Sequence, residues 1–136
     1  MQINIIYWSG TGNTEAMANF IKEGAENAGA TVALKNVSDA SIHDIECDIL
    51  CLGCSSMGAE VLEESEFEPY IVSIENSLQG KKLALFGSYG WGDGEWMRDW
   101  DVRMKNAGAA LVCDSLIVNE MPEGGECRAF GANIAK

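Results

Sequence analysis

The sequence is poor in the side chains that usually perform catalysis or attract anions. Its 136 residues include one histidine and only nine lysine and arginine residues, against 21 aspartate and glutamate residues. The formal net charge of -12 would repel a phosphate backbone and an anionic lipid surface, so nucleic acid and membranes are not expected partners. His43 is the only histidine, and it lies far in sequence from the predicted loops SGTGNT, CSSMGAE and GSYGWGDG, so no Cys/His pair and no set of residues with metal-ligand spacing is expected there.

Long apolar runs and targeting signals are also missing. No run approaches the roughly 18 apolar residues that a membrane span needs. The start, MQINIIYWSG, has neither the basic residues nor the small-residue cleavage site of a secretory signal. The chain length is about that of one average domain. We therefore expect a soluble, cytoplasmic protein with a single domain over residues 1–136.

The cysteines form no redox or zinc pattern. Five is an odd number, and no signal points to an oxidising compartment, so we expect all of them to be reduced. Cys51 and Cys54 form a CxxC, but they lie within the strand-like run DILCLGC, where residues three apart point to opposite faces of a sheet. A buried structural pair is the favoured interpretation.

Strand-like and helix-like segments alternate along the chain. The strand-like runs are INIIYW, TVALKNV, DILCLG, KLALFG and ALVCDSLIV, and a helical segment follows all of them but the second. This alternation predicts an α/β fold with a doubly wound parallel sheet and helices on both faces. The more polar TVALKNV is expected near an edge. In such sheets, ligands bind beyond the carboxyl ends of the strands, where the loops SGTGNT, CSSMGAE and GSYGWGDG would meet.

The first loop has the composition of an anion site without a cation. Walker A needs a lysine that is missing, and the dinucleotide fingerprint needs a third glycine where Glu15 stands. Ser9, Thr11, Asn13 and Thr14 provide hydroxyl and amide groups at the start of a predicted helix, whose free N–H groups favour a phosphate. The alternative is that these side chains only cap the helix.

The other two loops carry side chains suited to a flat ring. Met57 precedes a glycine, and Tyr89 and Trp91 stand among glycines, which predicts that the Trp91 indole faces outward to stack on a partner rather than into the core. Trp96 and Trp100 are expected to pack in the core or at the rim. Since no acid, base or nucleophile accompanies these loops, the chemistry would belong to a phosphorylated ring cofactor.

These motifs closely resemble the short-chain flavodoxins, particularly those of anaerobic clostridia. The matching stretches are YWSGTGNTE, LGCSSMG, EVLEESEFEP and ALFGSYGWGDGEWMRDW, and the correspondence runs along essentially the whole chain. The resemblance implies noncovalent FMN, a five-stranded sheet of order 2-1-3-4-5, and low-potential one-electron transfer, mainly through the semiquinone/hydroquinone couple. It implies an electron carrier rather than an enzyme, which exchanges electrons with redox partner proteins and is a monomer.

The resemblance also implies which residues form the cofactor site. They are Ser9, Gly10, Thr11, Gly12, Asn13, Thr14, Ser55, Met57, Gly58, Ala59, Glu60, Ser88, Tyr89, Gly90, Trp91 and Gly92. Within this set, Ser9, Thr11, Asn13, Thr14 and Ser55 would hold the phosphate. Met57 and Trp91 would flank the isoalloxazine. Glu60 would accept the flavin N3–H, and backbone amides from Ser88 through Gly92 would meet its pyrimidine edge.

The family's redox switch is a peptide flip that would fall between Gly58 and Ala59. Glycine tolerates positive φ, so Gly58 is expected at the first central position of a type II′ turn, with Ala59 at negative φ. Ala59 stands where relatives often have a polar residue.

Two acidic clusters follow the second and third loops, and they have two interpretations. The residues are Glu60, Glu63, Glu64, Glu66 and Glu68, and then Asp93, Glu95, Asp99 and Asp101. Either they are solvated helix faces or they form a rim that docks redox partners with basic surfaces. Their charges would also disfavour the second electron on the flavin.

Two rival functions belong to the same topology. A receiver domain needs acidic residues after the first strand, an Asp after the third and a Lys after the fifth, but Ser9, Cys54 and Asn119 occupy those neighbourhoods. A flavin-dependent reductase needs a further nicotinamide or quinone pocket, for which the chain leaves little length.

Overall fold

Strands and helices alternate from one end of the chain to the other. The computed structural model describes residues 1–136. The strands are β1 (Gln2–Trp8), β2 (Thr31–Asn36), β3 (Ile49–Cys54), β4 (Lys82–Tyr89), β5 (Ala110–Leu111) and β6 (Leu116–Asn119). The helices are α1 (Asn13–Asn27), α2 (Phe67–Glu75), α3 (Glu95–Asn106) and α4 (Gly124–Ile134). Two short 3-10 turns, Val37–Asp39 and Ile42–Ile45, connect β2 to β3. None of these helices combines the length and the apolar composition that a membrane-spanning helix requires.

All strands of the sheet are parallel, in the order β2-β1-β3-β4-β5, which confirms the 2-1-3-4-5 prediction. The fifth strand, expected as one run, is interrupted. Its first part pairs at Leu111 with Leu83, and its second part, β6, resumes at Leu116 opposite Phe86. Since the fifth strand uses more residues than β4 between these two pairs, the intervening segment leaves the sheet. β2 lies at the opposite edge, as its polar pattern predicts.

The sheet has a hydrophobic core on each face. Ile5 of β1 points toward α1 and α4, and its neighbour Ile6 points toward α2 and α3. All six residues of β3 are buried, because helices cover both of its faces. Cys54 belongs to the α2/α3 core and Cys51 to the α1/α4 core, so the CxxC spans opposite faces as predicted. All five cysteines are free thiols.

The aromatic residues of α3 complete the second core. Trp96 and Trp100 are each almost completely buried, which settles them as core residues rather than rim residues. Phe67 of α2 packs edge-on against Trp100, with ring centroids 5.4 Å apart. The helix that follows the third loop is therefore anchored to the body of the protein.

Candidate functional site

Four loops meet at the carboxyl edge of the sheet and enclose a cavity of about 520 Å³. It lies where an open α/β sheet binds ligands and within the size range of cofactor sites. The segment from the end of β1 to the start of α1 contributes Trp8, Gly10, Thr11 and Asn13. The loop after β3 contributes Ser55, Ser56 and Met57, and the end of β4 with the loop that follows it contributes Ser88, Tyr89, Gly90 and Trp91. The loop after β6 contributes Glu120 and Met121.

The loop after β1 presents unfilled hydrogen-bond donors. Gly12 is the N-cap of α1 with a φ of 99°, a left-handed conformation that glycine adopts without strain. The first N–H groups of a helix have no acceptor within the helix, and here the N-cap residue has no side chain to accept them. Ser9 Oγ instead accepts the Gly12 N–H at 3.1 Å, which tightens the turn. The helix start can therefore receive an anion.

The cavity lining contains no lysine or arginine, and its single charged residue is Glu120. An anion bound at the α1 loop would be held by backbone amides and by the Thr11, Asn13 and Ser55 side chains, all of which line the cavity. This agrees with the sequence pattern, in which hydroxyl and amide groups replace the cation of other phosphate sites.

Thr14 lies beneath the cavity rather than on its surface. The residue is 0% exposed, and its hydroxyl hydrogen-bonds the Ser55 hydroxyl at 2.7 Å. The Ser88 N–H also donates to Thr14 Oγ1, at 3.3 Å. In this arrangement Thr14 supports Ser55, and the Ser88 N–H is already engaged by the Thr14 hydroxyl.

The loop after β3 forms a tight reversal between Met57 and Val61. The two residues exchange both backbone hydrogen bonds, at 2.9 and 3.0 Å. Gly58 has the expected positive φ, 47°, and Ala59 does not. The turn nevertheless differs from the expected type II′ turn, because Met57 bonds to Val61 and a second left-handed residue, Glu60, is included with a φ of 57°. A non-glycine residue in that region indicates a constrained backbone at this loop.

Glu60 joins the second loop to the third. Its carboxylate accepts the Glu95 N–H at 3.3 Å, at the start of α3, and lies directly against Gly92. A side chain at Gly92 would collide with this carboxylate. Glu60 does not line the cavity itself, but its carboxylate bridges the two loops that do.

Trp91 is 65% exposed, which confirms that its indole is not part of the core. It shares the cavity with Met57, so a polarizable thioether and an indole are available to one ligand. Tyr89, two residues earlier, packs against the buried Trp96 with ring centroids 5.6 Å apart. The third loop is thus anchored on one side and open on the other.

Glu63 closes the second loop onto α2. Its carboxylate accepts the N–H groups of Ser65, Glu66 and Phe67 at 2.7, 2.6 and 2.9 Å. Burial raises the pKa of the Glu63 carboxyl, but the hydrogen bonds from Phe67, Glu66 and Ser65 outweigh this, so the pKa lies below its ordinary value. The acidic cluster is therefore not one solvated face, since Glu63 is a structural cap.

The residues inferred from the family resemblance fall into two groups. Nine line the cavity, namely Gly10, Thr11, Asn13, Ser55, Met57, Ser88, Tyr89, Gly90 and Trp91. Seven do not line it, namely Ser9, Gly12, Thr14, Gly58, Ala59, Glu60 and Gly92.

Sequence reasoning missed four lining residues. They are Trp8, Ser56, Glu120 and Met121. Trp8 and Ser56 adjoin predicted residues. The other two follow the predicted run ALVCDSLIV, and the rule that ligands bind at carboxyl ends of strands would have found them if it had been applied to the fifth strand as well.

Comparisons with known proteins agree with this site. The family model for flavodoxin matches residues 5–130. The chain belongs to the flavodoxin family. It is 54% identical to the flavodoxin of Clostridium beijerinckii, over 98% of this chain and 99% of that one. It is 47% identical to the flavodoxin of Megasphaera elsdenii, over 98% of both chains. The solution structure of the two-electron-reduced M. elsdenii flavodoxin matches with a TM-score of 0.90 and 45% identity, covering 98% of both chains.

Flavodoxins bind FMN and transfer electrons without turning over a substrate, and this chain is such a carrier. The residues present fit the cofactor. The uncapped start of α1 supplies donors for a phosphate, and the exposed indole of Trp91 supplies a flat apolar surface for a ring. A groove of about 610 Å³ between α2 and α3 lacks such features, since only two of its eight lining residues are hydrophobic and none is aromatic.

Proposed function

We propose that FMN binds in the cavity at the carboxyl edge of the sheet, with its phosphate at the start of α1 and its ring between Met57 and Trp91. The observation that carries this proposal is that an uncapped helix start and an exposed indole lie on the same cavity, which has no cation in its lining. When bound, FMN supplies the one-electron redox chemistry. The protein contributes binding, orientation and electrostatics.

At the phosphate end, direct contacts would come from Thr11, Asn13 and Ser55 together with the first N–H groups of α1. Ser9 and Thr14 would act indirectly. Ser9 Oγ holds the Gly12 N–H, and Thr14 Oγ1 holds the Ser55 hydroxyl. No lysine or arginine in the cavity lining offsets the negative charge of the protein. That charge repels a second electron added to the ring and so disfavours it.

At the ring end, Met57 and Trp91 would cover the two faces. Glu60, which the family resemblance implies as the acceptor of the N3–H, lies outside the cavity lining, and its carboxylate accepts the Glu95 N–H. Donors to the pyrimidine edge would come from the backbone of residues 89–92, since the Ser88 N–H is engaged by Thr14.

The test of this site is FMN titration of apoprotein variants, followed by quenching of flavin fluorescence. Trp91→Ala removes the exposed ring, and loss of one aromatic stacking surface costs about 1–3 kcal/mol, so the Kd should rise by about fivefold or more. Trp91→Phe retains a ring and should show a smaller increase. Val72→Ala, at an exposed valine of α2 outside the cavity lining, is the control and should leave the Kd unchanged. An unchanged Kd for Trp91→Ala would place FMN elsewhere.

We further propose that redox partners dock on the acidic surface beside the cavity through basic surfaces of their own. Exposed carboxylates such as Glu64, Asp93 and Glu95 follow the second and third loops along the chain. The apolar side chains of Trp91 and Met121, which line the cavity, are 65% and 78% exposed. Opposite charges speed encounter, and apolar tips at a rim favour close contact.

A basic redox protein, cytochrome c, is a suitable probe of this surface. Electron transfer from the reduced protein should slow as salt is added. Glu64→Gln should lower the rate at low salt and flatten its salt dependence. Glu26→Gln, at an exposed residue near the far end of α1, carries the same charge change and should have less effect. Equal effects of the two variants would show that only net charge matters.

We also propose that residues 1–136 act as one domain and that the protein is a cytoplasmic monomer. A net charge of -12 opposes self-association, and five free thiols suit a reducing compartment. Light scattering should give a mass near 14.7 kDa. A concentration-dependent mass twice as large would reject the monomer.

A further inference from the structure

The loop after β6 contains a residue in an unusual backbone conformation beside the cavity. Glu120 has a φ of 58°, in the left-handed region that residues other than glycine, asparagine and aspartate rarely occupy. Such a conformation persists where surrounding contacts hold it in place. Glu120 and Met121 both line the cavity, so whatever holds this turn also holds one of its walls.

The contacts that hold the turn come from the end of β4. The Ser88 hydroxyl donates to the Glu120 carbonyl at 2.6 Å. The Glu120 N–H donates to the Tyr89 carbonyl at 2.8 Å, and the Asn119 side-chain amide donates to the same oxygen at 3.3 Å. The carbonyl and the N–H of the strained residue are thus both engaged by neighbouring residues of β4.

Ser88 connects this turn to two further loops of the site. Its N–H donates to the hydroxyl of Thr14, and its carbonyl accepts the Ser56 N–H at 3.0 Å. The residue is only 4% exposed, so these bonds are protected from water. One buried serine therefore hydrogen-bonds to the segments that follow β1, β3 and β6.

We propose that Ser88 is a positioning residue, whose hydroxyl holds the Glu120 turn so that the Glu120–Met121 wall is in place before the cofactor binds. This inference rests on the proposed FMN site. Ser88 itself lines the cavity, but its hydroxyl donates to the Glu120 carbonyl. A wall that is already ordered spares FMN the entropic cost of ordering it, so the hydroxyl should contribute to affinity through the turn.

Ser88→Ala removes the hydroxyl with little change of volume. Because a net hydrogen bond is worth about three- to tenfold in an equilibrium constant, the Kd for FMN should rise by about that factor. The Kd is measured by fluorescence quenching, and urea unfolding of each apoprotein confirms that the variants are folded under the titration conditions. Should Ser88→Ala not fold, Ser88→Cys, whose thiol is a weak donor, takes its place.

Two variants of Glu120 serve as backgrounds in which Ser88→Ala is tested. They distinguish an effect of Ser88 on the turn from a general loss of packing. Glu120→Gln removes the charge but keeps a long side chain that disfavours the left-handed turn. Glu120→Asn removes the same charge and introduces a residue that accepts this turn. If the hydroxyl acts by holding the turn, Ser88→Ala should weaken FMN binding by its full factor in the Gln background, and by less than about twofold in the Asn background.

Equal factors in the two backgrounds, or no effect of Ser88→Ala in the otherwise unchanged protein, would overturn the proposal. Trp91→Ala measured in parallel keeps the two hypotheses apart. If Trp91→Ala leaves the Kd unchanged, the site itself is wrong. If it weakens binding and the two backgrounds do not differ, only the role of Ser88 is wrong.

Discussion

Replacing Glu63 with glutamine removes the charge from a buried carboxylate that accepts three backbone N–H groups. One oxygen accepts the N–H groups of Glu66 and Phe67, and the other accepts that of Ser65. A glutamine side chain has one carbonyl oxygen, which can retain two of these bonds, while its NH₂ group would face the third N–H, donor against donor. The start of α2 would thus lose one hydrogen bond and the charge that strengthens the other two.

The magnitude follows from these contacts. Hydrogen bonds to charged groups contribute about 1.5–3 kcal/mol, and caps of helix starts contribute about 0.5–2 kcal/mol. We expect Glu63→Gln to lower the free energy of unfolding by about 2 kcal/mol at neutral pH. For a domain of this size the melting temperature should fall by roughly 6 °C. Urea unfolding of the apoprotein, followed by circular dichroism, measures the effect.

The pH dependence gives a second, independent test. The pKa of Glu63 is lower in the folded protein than its ordinary value of 4.5. Its contribution to stability is therefore fully present above that value and is lost as pH falls through the lower, folded-state pKa. The difference between the original protein and Glu63→Gln should be constant from pH 7 to about pH 5 and narrow at more acidic pH.

Glu64→Gln is the matched control. Glu64 is the next residue in the chain, and its side chain is exposed and accepts no hydrogen bond from the helix start. It should change the free energy of unfolding by less than about 0.5 kcal/mol. If Glu63→Gln were no more destabilising than Glu64→Gln, or if its effect grew on acidification, the capping role of Glu63 would be wrong.

Two further predictions concern the second loop and the contact between α2 and α3. The family resemblance implies a peptide flip between Gly58 and Ala59 that favours the semiquinone. Gly58 has a φ of 47°, which a β-branched residue adopts only under strain, so Gly58→Thr should hinder this flip and narrow the gap between the two one-electron midpoint potentials by about 40 mV or more. A spectroelectrochemical titration measures the gap, and an unchanged gap would contradict this. Arg103 donates two hydrogen bonds of 2.7 and 2.8 Å to the Glu68 carboxylate, a geometry that lysine cannot reproduce. Arg103→Lys should therefore lower the free energy of unfolding, measured in urea, by about 1–2 kcal/mol. Arg98→Lys, at the exposed pair with Asp93, should cost less than about 0.5 kcal/mol, and equal losses would show that the paired geometry of Arg103 adds nothing.

The course of the chain through the sheet was predictable from local patterns. Apolar runs such as DILCLG indicate strands covered on both faces, and the structure buries every residue of β3. The left-handed glycine after α1, Gly29, and the position of Pro69 in the first turn of α2 follow from backbone preferences that act within a few residues. The outward indole of Trp91 follows equally from its glycine neighbours.

The interruption of the fifth strand was not predictable in this way. ALVCDSLIV reads as one run, and only its pairing with β4 shows that the strand breaks after Leu111 and resumes at Leu116. That break separates a short β5 from β6, the strand that brings Glu120 and Met121 to the cavity.

The sequence by itself determined the order of the elements, the three loops that follow β1, β3 and β4, and the absence of a cation at the first of them. Each of these depends on residues that are neighbours along the chain. The tertiary structure decided which polar side chains face the cavity and which support it from below. Thr14 and Ser55 hydrogen-bond across 41 positions, and Ser88 and Glu120 across 32. Hydrogen bonds between distant residues carry no periodic signal in the sequence, because each forms only when the sheet brings the ends of separate strands together.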